Sequence, residues 1–307
     1  MDFVHTPVLP EETIQLLGPR RNGECMVDAT LGEGGHSFAF LSRFPDLKII
    51  GIDADREIQN IARERLKPFG DRISFYTGWS QDFFSKPPPE TAPADTILID
   101  LGISQYHYQK GRRGFSFTQD EPLDMRLNPE AGPSAADLLD RLSERELADL
   151  IYANSDEGYS RRIARRIKAQ GRIRSSAVLA DLVFQAVPPA YRRGPRHPAT
   201  KTFLALRIAV NRELEGLPSL LERALAFLKP GGRMGVITFH SLEDRIVKNF
   251  FREQGKNTPD APIYKEGIVN LLGRKGFAPG IEEVRNNPSS RSARLRVVEK
   301  NVRKERQ

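Results

Sequence analysis

The 307-residue chain has one cysteine, Cys25, and one tryptophan, Trp79. A lone thiol cannot build a disulfide framework or a cysteine-cluster zinc site, so a reducing cytoplasm is the expected compartment. Long hydrophobic runs are missing too. Pieces such as Thr96-Ile97-Leu98-Ile99 fall far short of the roughly 18 residues that span a bilayer, and no membrane attachment is expected. The segment Met1 to Pro7 lacks the basic and apolar stretches of a secretion signal. The five histidines include no ligand-spaced pair, so no metal centre is expected.

Hydrophobic residues make up 39% of the chain, somewhat low but enough for a sizeable core at this length. The length fits two domains, or one domain carrying a large insertion. Lys and Arg number 47 against 40 Asp and Glu, a formal charge of +7. That charge is concentrated. Between Tyr159 and Thr202 there are eleven Lys or Arg and a single acid, Asp181, for a segment charge of +10, which leaves −3 for the rest.

Short β-like runs alternate with helical ones up to Asp100. Strands are expected over Met26–Thr30, Lys48–Asp53, Ile73–Tyr76 and Ala94–Asp100, with helices ending near Arg43 and spanning Arg56 to Leu66, where Ile58, Ile61, Ala62 and Leu66 recur at helical spacing. The grammar returns late, with a helix over Leu220–Leu228, a turn over Lys229–Gly232, a strand over Arg233–Phe239 and a helix over Leu242–Arg252. A last run, Ala293–Val298, is expected to close the sheet as an edge. Lys256–Pro288, rich in Gly, Pro and Asn, reads as a long loop. This is an α/β, doubly wound parallel sheet. Leu138 to Leu217 carries only helical periodicity, preceded by an irregular loop from Ser104 to Pro133. The expected division is residues 1–103 and 218–307 in a cofactor-binding domain, and 104–217 as a connecting loop and α-helical insertion.

The first strand is followed by Asp28-Ala29-Thr30-Leu31-Gly32-Glu33-Gly34-Gly35-His36. Glycines here let the backbone approach a nucleotide, and the helix N-terminus offers unpaired N–H groups. The turn is not a complete G-x-G-x-x-G fingerprint, and by itself it is also a plain tight connection. Asp53, at the end of the second strand, adds the acid that accepts both hydroxyls of a ribose. Either Asp53 or Asp55 can cap the helix at Arg56, which leaves the other for the ribose. The acid Asp28 at the start of the turn disfavours a pyrophosphate and suits the cationic sulfonium and amino group of S-adenosylmethionine. A methyltransferase is therefore favoured over a dehydrogenase. Trp79 is placed to stack on an adenine, although a single Trp is more often simply core.

Eight ordered motifs now carry a resemblance: His5-Thr6-Pro7-Val8-Leu9, Asp28 to Ser37, Asp100-Leu101-Gly102-Ile103-Ser104, Arg113-Gly114-Phe115-Ser116-Phe117, Leu123-Asp124-Met125-Arg126, His197-Pro198-Ala199-Thr200, Phe239 to Arg245, and Ser292 to Arg296. The chain resembles the bacterial 16S rRNA cytosine-N4 methyltransferases over nearly its whole length. The resemblance implies a class I, Rossmann-like methyltransferase sheet and S-adenosylmethionine as cofactor. It further implies 16S rRNA within the small ribosomal subunit as substrate, and a helical insertion that recognises it. Carried over residue by residue, it implies cofactor contact by Gly34, Gly35, His36, Asp53, Trp79 and Asp100. The family's loop glutamine aligns with His107, two residues before Gln109. Leu204 and Lys201 stand where members often carry Gln and Arg.

The N4 amine of cytosine is conjugated with the ring and is a poor nucleophile, so the site must orient it for in-line displacement. An acceptor for its hydrogens favours a tetrahedral nitrogen. Asp100 is the candidate, but Asp100-Leu101-Gly102-Ile103 is not the Asp/Asn-Pro-Pro-aromatic turn of many amine methyltransferases. Asp100 is therefore read first as a cofactor ligand and only second as a base, with Ser104 or main-chain carbonyls available to hold the amine. His240-Ser241-Leu242-Glu243-Asp244 invites a Ser-His-Asp reading, but Ser241 with Asp244 fits a helix N-cap better.

Two features suit RNA. The loop Arg112-Arg113-Gly114-Phe115-Ser116-Phe117 interleaves cations with aromatics, either to stack on bases or to anchor itself in the core. Arg161, Arg162, Arg165, Arg166 and Lys168 lie at helical spacing with no acid between Tyr159 and Ala180, as a phosphate track requires. Phe203, Leu206, Val210 and Leu214 read as packing. The competing functions are a non-catalytic RNA-binding ribosome assembly factor, and a methyltransferase with a DNA or protein target.

Overall fold

A computed structural model describes residues 6–109, 112–130, 132–256 and 267–302. The chain divides into two compact units, Met1–Ser104 with Gly216–Gln307, and Gln105–Glu215. In chain order the first part of unit one carries α1 (Pro10–Leu17), β1 (Cys25–Asp28), α2 (Gly35–Arg43), β2 (Lys48–Asp53), α3 (Arg56–Leu66), β3 (Ile73–Thr77), α4 (Ser80–Ser85) and β4 (Ala94–Asp100). Unit two is helical, with α5 (Gln105–Gln109), α6 (Ala135–Arg141), α7 (Glu144–Ser155), α8 (Ser160–Gln170), α9 (Ser176–Ala186), α10 (Pro189–Arg192) and α11 (Ala199–Asn211). Unit one resumes with α12 (Leu217–Phe227), β5 (Leu228–Thr238), α13 (Ser241–Gln254), β6 (Val269–Phe277), α14 (Ile281–Asn286) and β7 (Arg294–Lys300).

Unit one is built on a seven-stranded sheet of order β3-β2-β1-β4-β5-β7-β6. The first five strands are parallel, and β7 runs antiparallel between β5 and β6. Parallel strands covered on both faces should be apolar throughout, and Ile97, Leu98 and Ile99 of β4 are fully buried. One face packs Phe40, Leu41, Ala62 and Leu66 of α2 and α3 against Met26, Ile49 and Leu98. The other packs Phe83 and Phe84 of α4, Leu221 and Leu225 of α12, and Val247 and Phe251 of α13 against Val27, Ile97 and Val236. The strand order reverses between β1 and β4, so ligands are expected outside the carboxyl ends there.

Three expectations are corrected. Ala293–Val298 is not the edge: β7 is sandwiched, and β6 forms the edge. Within the stretch read as a loop over Lys256–Pro288, Val269–Phe277 forms β6 and Ile281–Asn286 forms α14, with residues 257–266 outside the described set. Lys229–Gly232 is no terminating turn but a bulge inside β5, where the pairing Ala94↔Leu228 slips to Thr96↔Arg233 and Gly231 takes φ 78°. In unit two, α7 and α8 bury Leu147, Ala148, Ile151, Ile163, Ala164 and Ile167 at helical spacing. Ser134 and Ser143 close reciprocal capping boxes with Asp137 and Glu146 at the starts of α6 and α7.

Candidate functional site

The glycine-rich turn after β1 is laced to its neighbours by main-chain bonds: Ala29 N–H to Leu98 O at 2.9 Å, Leu31 N–H to Ile52 O at 2.8 Å and Gly34 N–H to Leu31 O at 2.8 Å. Gly34 is the N-cap of α2 in the left-handed region, φ 76°, with no side-chain cap. Any Cβ there would lie 2.9 Å from Leu66 Cδ1, so strain and sterics both demand glycine. Gly32 is also left-handed, φ 52°, and a Cβ on it would meet nothing within 4 Å. Space is open at Gly32, beside the N-terminus of a helix whose first turn has no acid.

The two acids after β2 divide their roles. Asp55 caps α3, accepting from Glu57 N–H at 2.9 Å. Asp53 accepts from Gly32 N–H and from Asp55 N–H, each at 2.8 Å, so its carboxylate organises the glycine turn as well as facing the rim. Thr77 is the register partner of Asp53, and Gly78 N–H donates to Asp53 O at 2.9 Å. Trp79 therefore starts α4 beside the acid at the sheet's carboxyl edge. Its side chain is 39% exposed, which rules out the core reading.

Beneath the turn lies a polar cluster. Ser37 Oγ–H donates to Asp28 Oδ2 at 2.6 Å, and Asp28 is only 1% exposed. Burial pushes its carboxyl up from the usual Asp range, and the Asp100 charge pushes the same way against the Ser37 bond and the His36 imidazole. Asp28 thus sits inside the wall and does not face a cationic ligand directly, contrary to the reading from sequence. Asp100, buried at the end of β4, accepts from Gly102 N–H at 3.1 Å, while its own N–H donates to Thr30 Oγ1 at 2.6 Å. His36 Nε2 is 3.5 Å from Asp100 Oδ2, and neither buried ring nitrogen of His36 makes a hydrogen bond among the described residues.

Sequence reasoning passed over Glu33. It lies between two glycines of the turn yet is 1% exposed, and it accepts from Ser104 Oγ–H at 3.0 Å. An acid flanked by glycines was the available signal; its burial was not readable.

Other candidates resolve as structure. His240, not Ser241, is the N-cap of α13, in a capping box with Glu243. The Ser-His-Asp reading has no support there. His107 belongs to α5 of unit two and is buried with its ring 5.5 Å from Phe115. Phe115 is buried, and Phe117 packs on Phe203 at 4.9 Å and on His197 at 4.7 Å. Arg113 donates to the carbonyls of Arg126 and Leu127 at 3.3 and 2.9 Å. This loop anchors itself and does not offer its rings for stacking. On α8 the side chains of Arg161, Arg162, Arg165 and Arg166 are exposed, opposite buried Ile163, Ala164 and Ile167. Glu144 of α7 sits 3.4 Å from Arg165, and Gln185 of α9 takes a 2.6 Å bond from Arg166. The track is thus partly countered from neighbouring helices.

The profile of the MraW methylase family matches residues 2–301. The chain belongs to that family. It is similar to the ribosomal RNA small subunit methyltransferase H of Treponema denticola, with 55% identity over 98% of each chain. It is 43% identical to the protein of that name from Treponema pallidum, over 96% of this chain and 92% of the other. The protein so named from Prochlorococcus marinus is 46% identical, over 97% and 90%. This MraW-family methylase is thus an S-adenosylmethionine-dependent enzyme on a Rossmann-like sheet. Its residues fit that cofactor. Open space at Gly32, acceptors on Asp53 for a ribose, an exposed indole at Trp79, and a buried imidazole at His36 whose nitrogens make no hydrogen bond among the described residues all lie in unit one.

Proposed function

We propose that this methylase transfers a methyl group to the exocyclic N4 amine of a decoding-centre cytosine in 16S rRNA of the small ribosomal subunit, in the cytoplasm. The observation that carries the reading is the carboxyl rim of β1, β2 and β4, where the Gly32 turn, Asp53 and Asp100 are fixed by main-chain bonds. It sits in a chain whose relatives bear a small-subunit rRNA methyltransferase name. Among the described residues no helix is long and apolar enough to cross a membrane.

When bound, S-adenosylmethionine supplies an activated methyl group on a sulfonium. The main chain at Gly34 and Gly35 would hold its methionine moiety, with the buried His36 imidazole contributing from the wall behind the turn. Asp53 would accept from the ribose hydroxyls, and Trp79 would cover the adenine. Asp100 would help hold the cofactor and accept a hydrogen bond from the incoming amine, turning the nitrogen lone pair toward the methyl carbon opposite the departing sulfur. His107 stands for the family's loop glutamine in unit two. The target base must leave its stack to reach such a rim. The domain of residues 1–103 and 218–307 holds the cofactor, and the helical insertion 104–217 docks RNA phosphates through the exposed arginines of α8.

Tritium transfer from labelled S-adenosylmethionine to purified small subunits, naked rRNA, DNA and protein tests this. Label in rRNA alone is expected. Label in DNA or protein, or no label despite tight RNA binding, overturns it.

A further inference from the structure

Strand β6 does not pair evenly with β7. Leu272 pairs with Val297 and Phe277 with Leu295, so four residues, Gly273-Arg274-Lys275-Gly276, stand opposite Arg296 alone. The two glycines are left-handed, at φ 81° and 71°. They turn the main chain out of the ladder and back. The carbonyls of the bulge are held by guanidinium groups of β7: Lys275 O accepts from Arg294 Nη1 at 2.6 Å and Arg274 O from Arg296 Nη1 at 3.5 Å. Arg296 is itself neutralised by Asp244 of α13, through bonds of 2.7 and 2.9 Å.

With the carbonyls tied inward, the side chains of Arg274 and Lys275 are exposed, as is Arg245, the residue after Asp244 on α13. Among the described residues none of these three cations makes an ion pair, unlike Arg165 of α8. Their place in the sheet matters. Because β7 is antiparallel, Arg294 lies opposite Thr238 at the carboxyl end of β5, and the bulge faces Arg296 two residues further along. It lies near the rim that carries Asp100, separated from β4 by three strand spacings of about 4.8 Å each, some 14 Å in all. A few nucleotides of single strand cover that span.

We propose that the Gly273–Gly276 bulge, with Arg274 and Lys275 and assisted by Arg245, is a phosphate-binding contact on the cofactor-bearing unit that grips RNA backbone flanking the target base. This rests on the RNA-methyltransferase reading above. Bulges and lysines also protect an edge strand from pairing with another chain, and β6 is the edge. Edge protection needs neither a carboxyl-rim position nor a guanidinium clamp on the bulge carbonyls, whereas gripping a backbone needs both cations held outward there.

The test uses the full chain and transcribed small-subunit rRNA, with affinity measured at several salt concentrations. Each single-strand phosphate contact contributes about 0.7 to the slope of log K against log salt. The Arg274→Ala/Lys275→Ala double variant should flatten that slope by roughly 1.4 and leave S-adenosylhomocysteine affinity unchanged. An unchanged slope, when Arg161→Ala/Arg162→Ala on α8 does flatten it, overturns the bulge contact and leaves the enzyme reading standing. Aggregation of the double variant with unaltered RNA binding overturns it in favour of edge protection. If the wild type transfers no label to rRNA, the enzyme reading itself fails, and RNA binding by the bulge is judged separately by its slope.

Discussion

Replacing Asp53 with alanine separates its two roles by magnitude. Its carboxylate accepts from Gly32 and Asp55 N–H in the protein alone, and from the two ribose hydroxyls when cofactor is bound. Hydrogen bonds to a charged group contribute about 1.5–3 kcal/mol each. Two ribose bonds at the lower figure give about 3 kcal/mol, a loss of roughly 150-fold in cofactor affinity. Releasing Gly32 and Asp55 N–H should cost the unliganded protein a further ~1–2 kcal/mol, since both groups are only partly buried and water can replace the lost acceptor. Calorimetric titration with S-adenosylhomocysteine reads the first loss and urea unfolding of the unliganded protein reads the second. An analogue lacking both ribose hydroxyls isolates the direct contact. The wild type should discriminate against it strongly, and Asp53→Ala hardly at all. If Asp53→Ala binds S-adenosylhomocysteine within about threefold of wild type, or still discriminates against the analogue, Asp53 does not hold the ribose.

Trp79 is the sole tryptophan, so its fluorescence should change saturably as S-adenosylhomocysteine is added, and Trp79→Ala should lose about 1–3 kcal/mol of affinity; unaltered emission at saturation would remove it from the adenine site. Burial raises the Asp28 carboxyl pKa, so the folded protein keeps a proton that the unfolded chain releases from about pH 4, and stability falls as pH rises from there to the raised folded value. Asp28→Asn imitates the protonated form and keeps an acceptor for Ser37, so its stability advantage over wild type should grow across that window; parallel unfolding curves would refute this. Arg296→Ala removes both bonds to Asp244, and because Asp244 is partly exposed the cost in urea unfolding should be about 2–3 kcal/mol, below the 3–5 kcal/mol of a fully buried pair. On α8, Arg165→Ala should reduce the salt dependence of RNA binding less than Arg161→Ala, because Glu144 already offsets Arg165; equal reductions would contradict that.

The strands nearest the candidate site were legible because parallel strands buried on both faces leave short apolar runs, here ending in acids. Lys48–Asp53 and Ala94–Asp100 fall at the expected residues, and so does the helix Arg56–Leu66, whose amphipathic spacing is regular. What failed did so for local reasons. The glycines and prolines of Lys256–Pro288 read as a loop because a bulged edge strand uses the residues that loops use. The helix α4 is only six residues long, too short for periodicity to register. Ser241-x-x-Asp244 and His240-x-x-Glu243 are overlapping capping patterns, and the choice depends on where β5 stops. At the site, residue type announced Asp53 and the glycine turn. Asp28 and Glu33 are buried, with hydrogen bonds from Ser37 and Ser104, and that burial is set by the tertiary surroundings, which no local pattern encodes. The counter-charge that Glu144 brings to α8 comes from the preceding helix, outside the acid-free stretch that suggested a bare track.

The most direct test of the central claim is nucleoside analysis of small-subunit rRNA after reaction with S-adenosylmethionine and this protein, starting from subunits that lack the modification. N4-methylcytidine at one decoding-centre position, formed by the wild type and sharply reduced with Asp53→Ala at limiting S-adenosylmethionine, is the predicted result. A methylated nucleoside other than N4-methylcytidine, or methylation only in DNA or protein, would contradict the account.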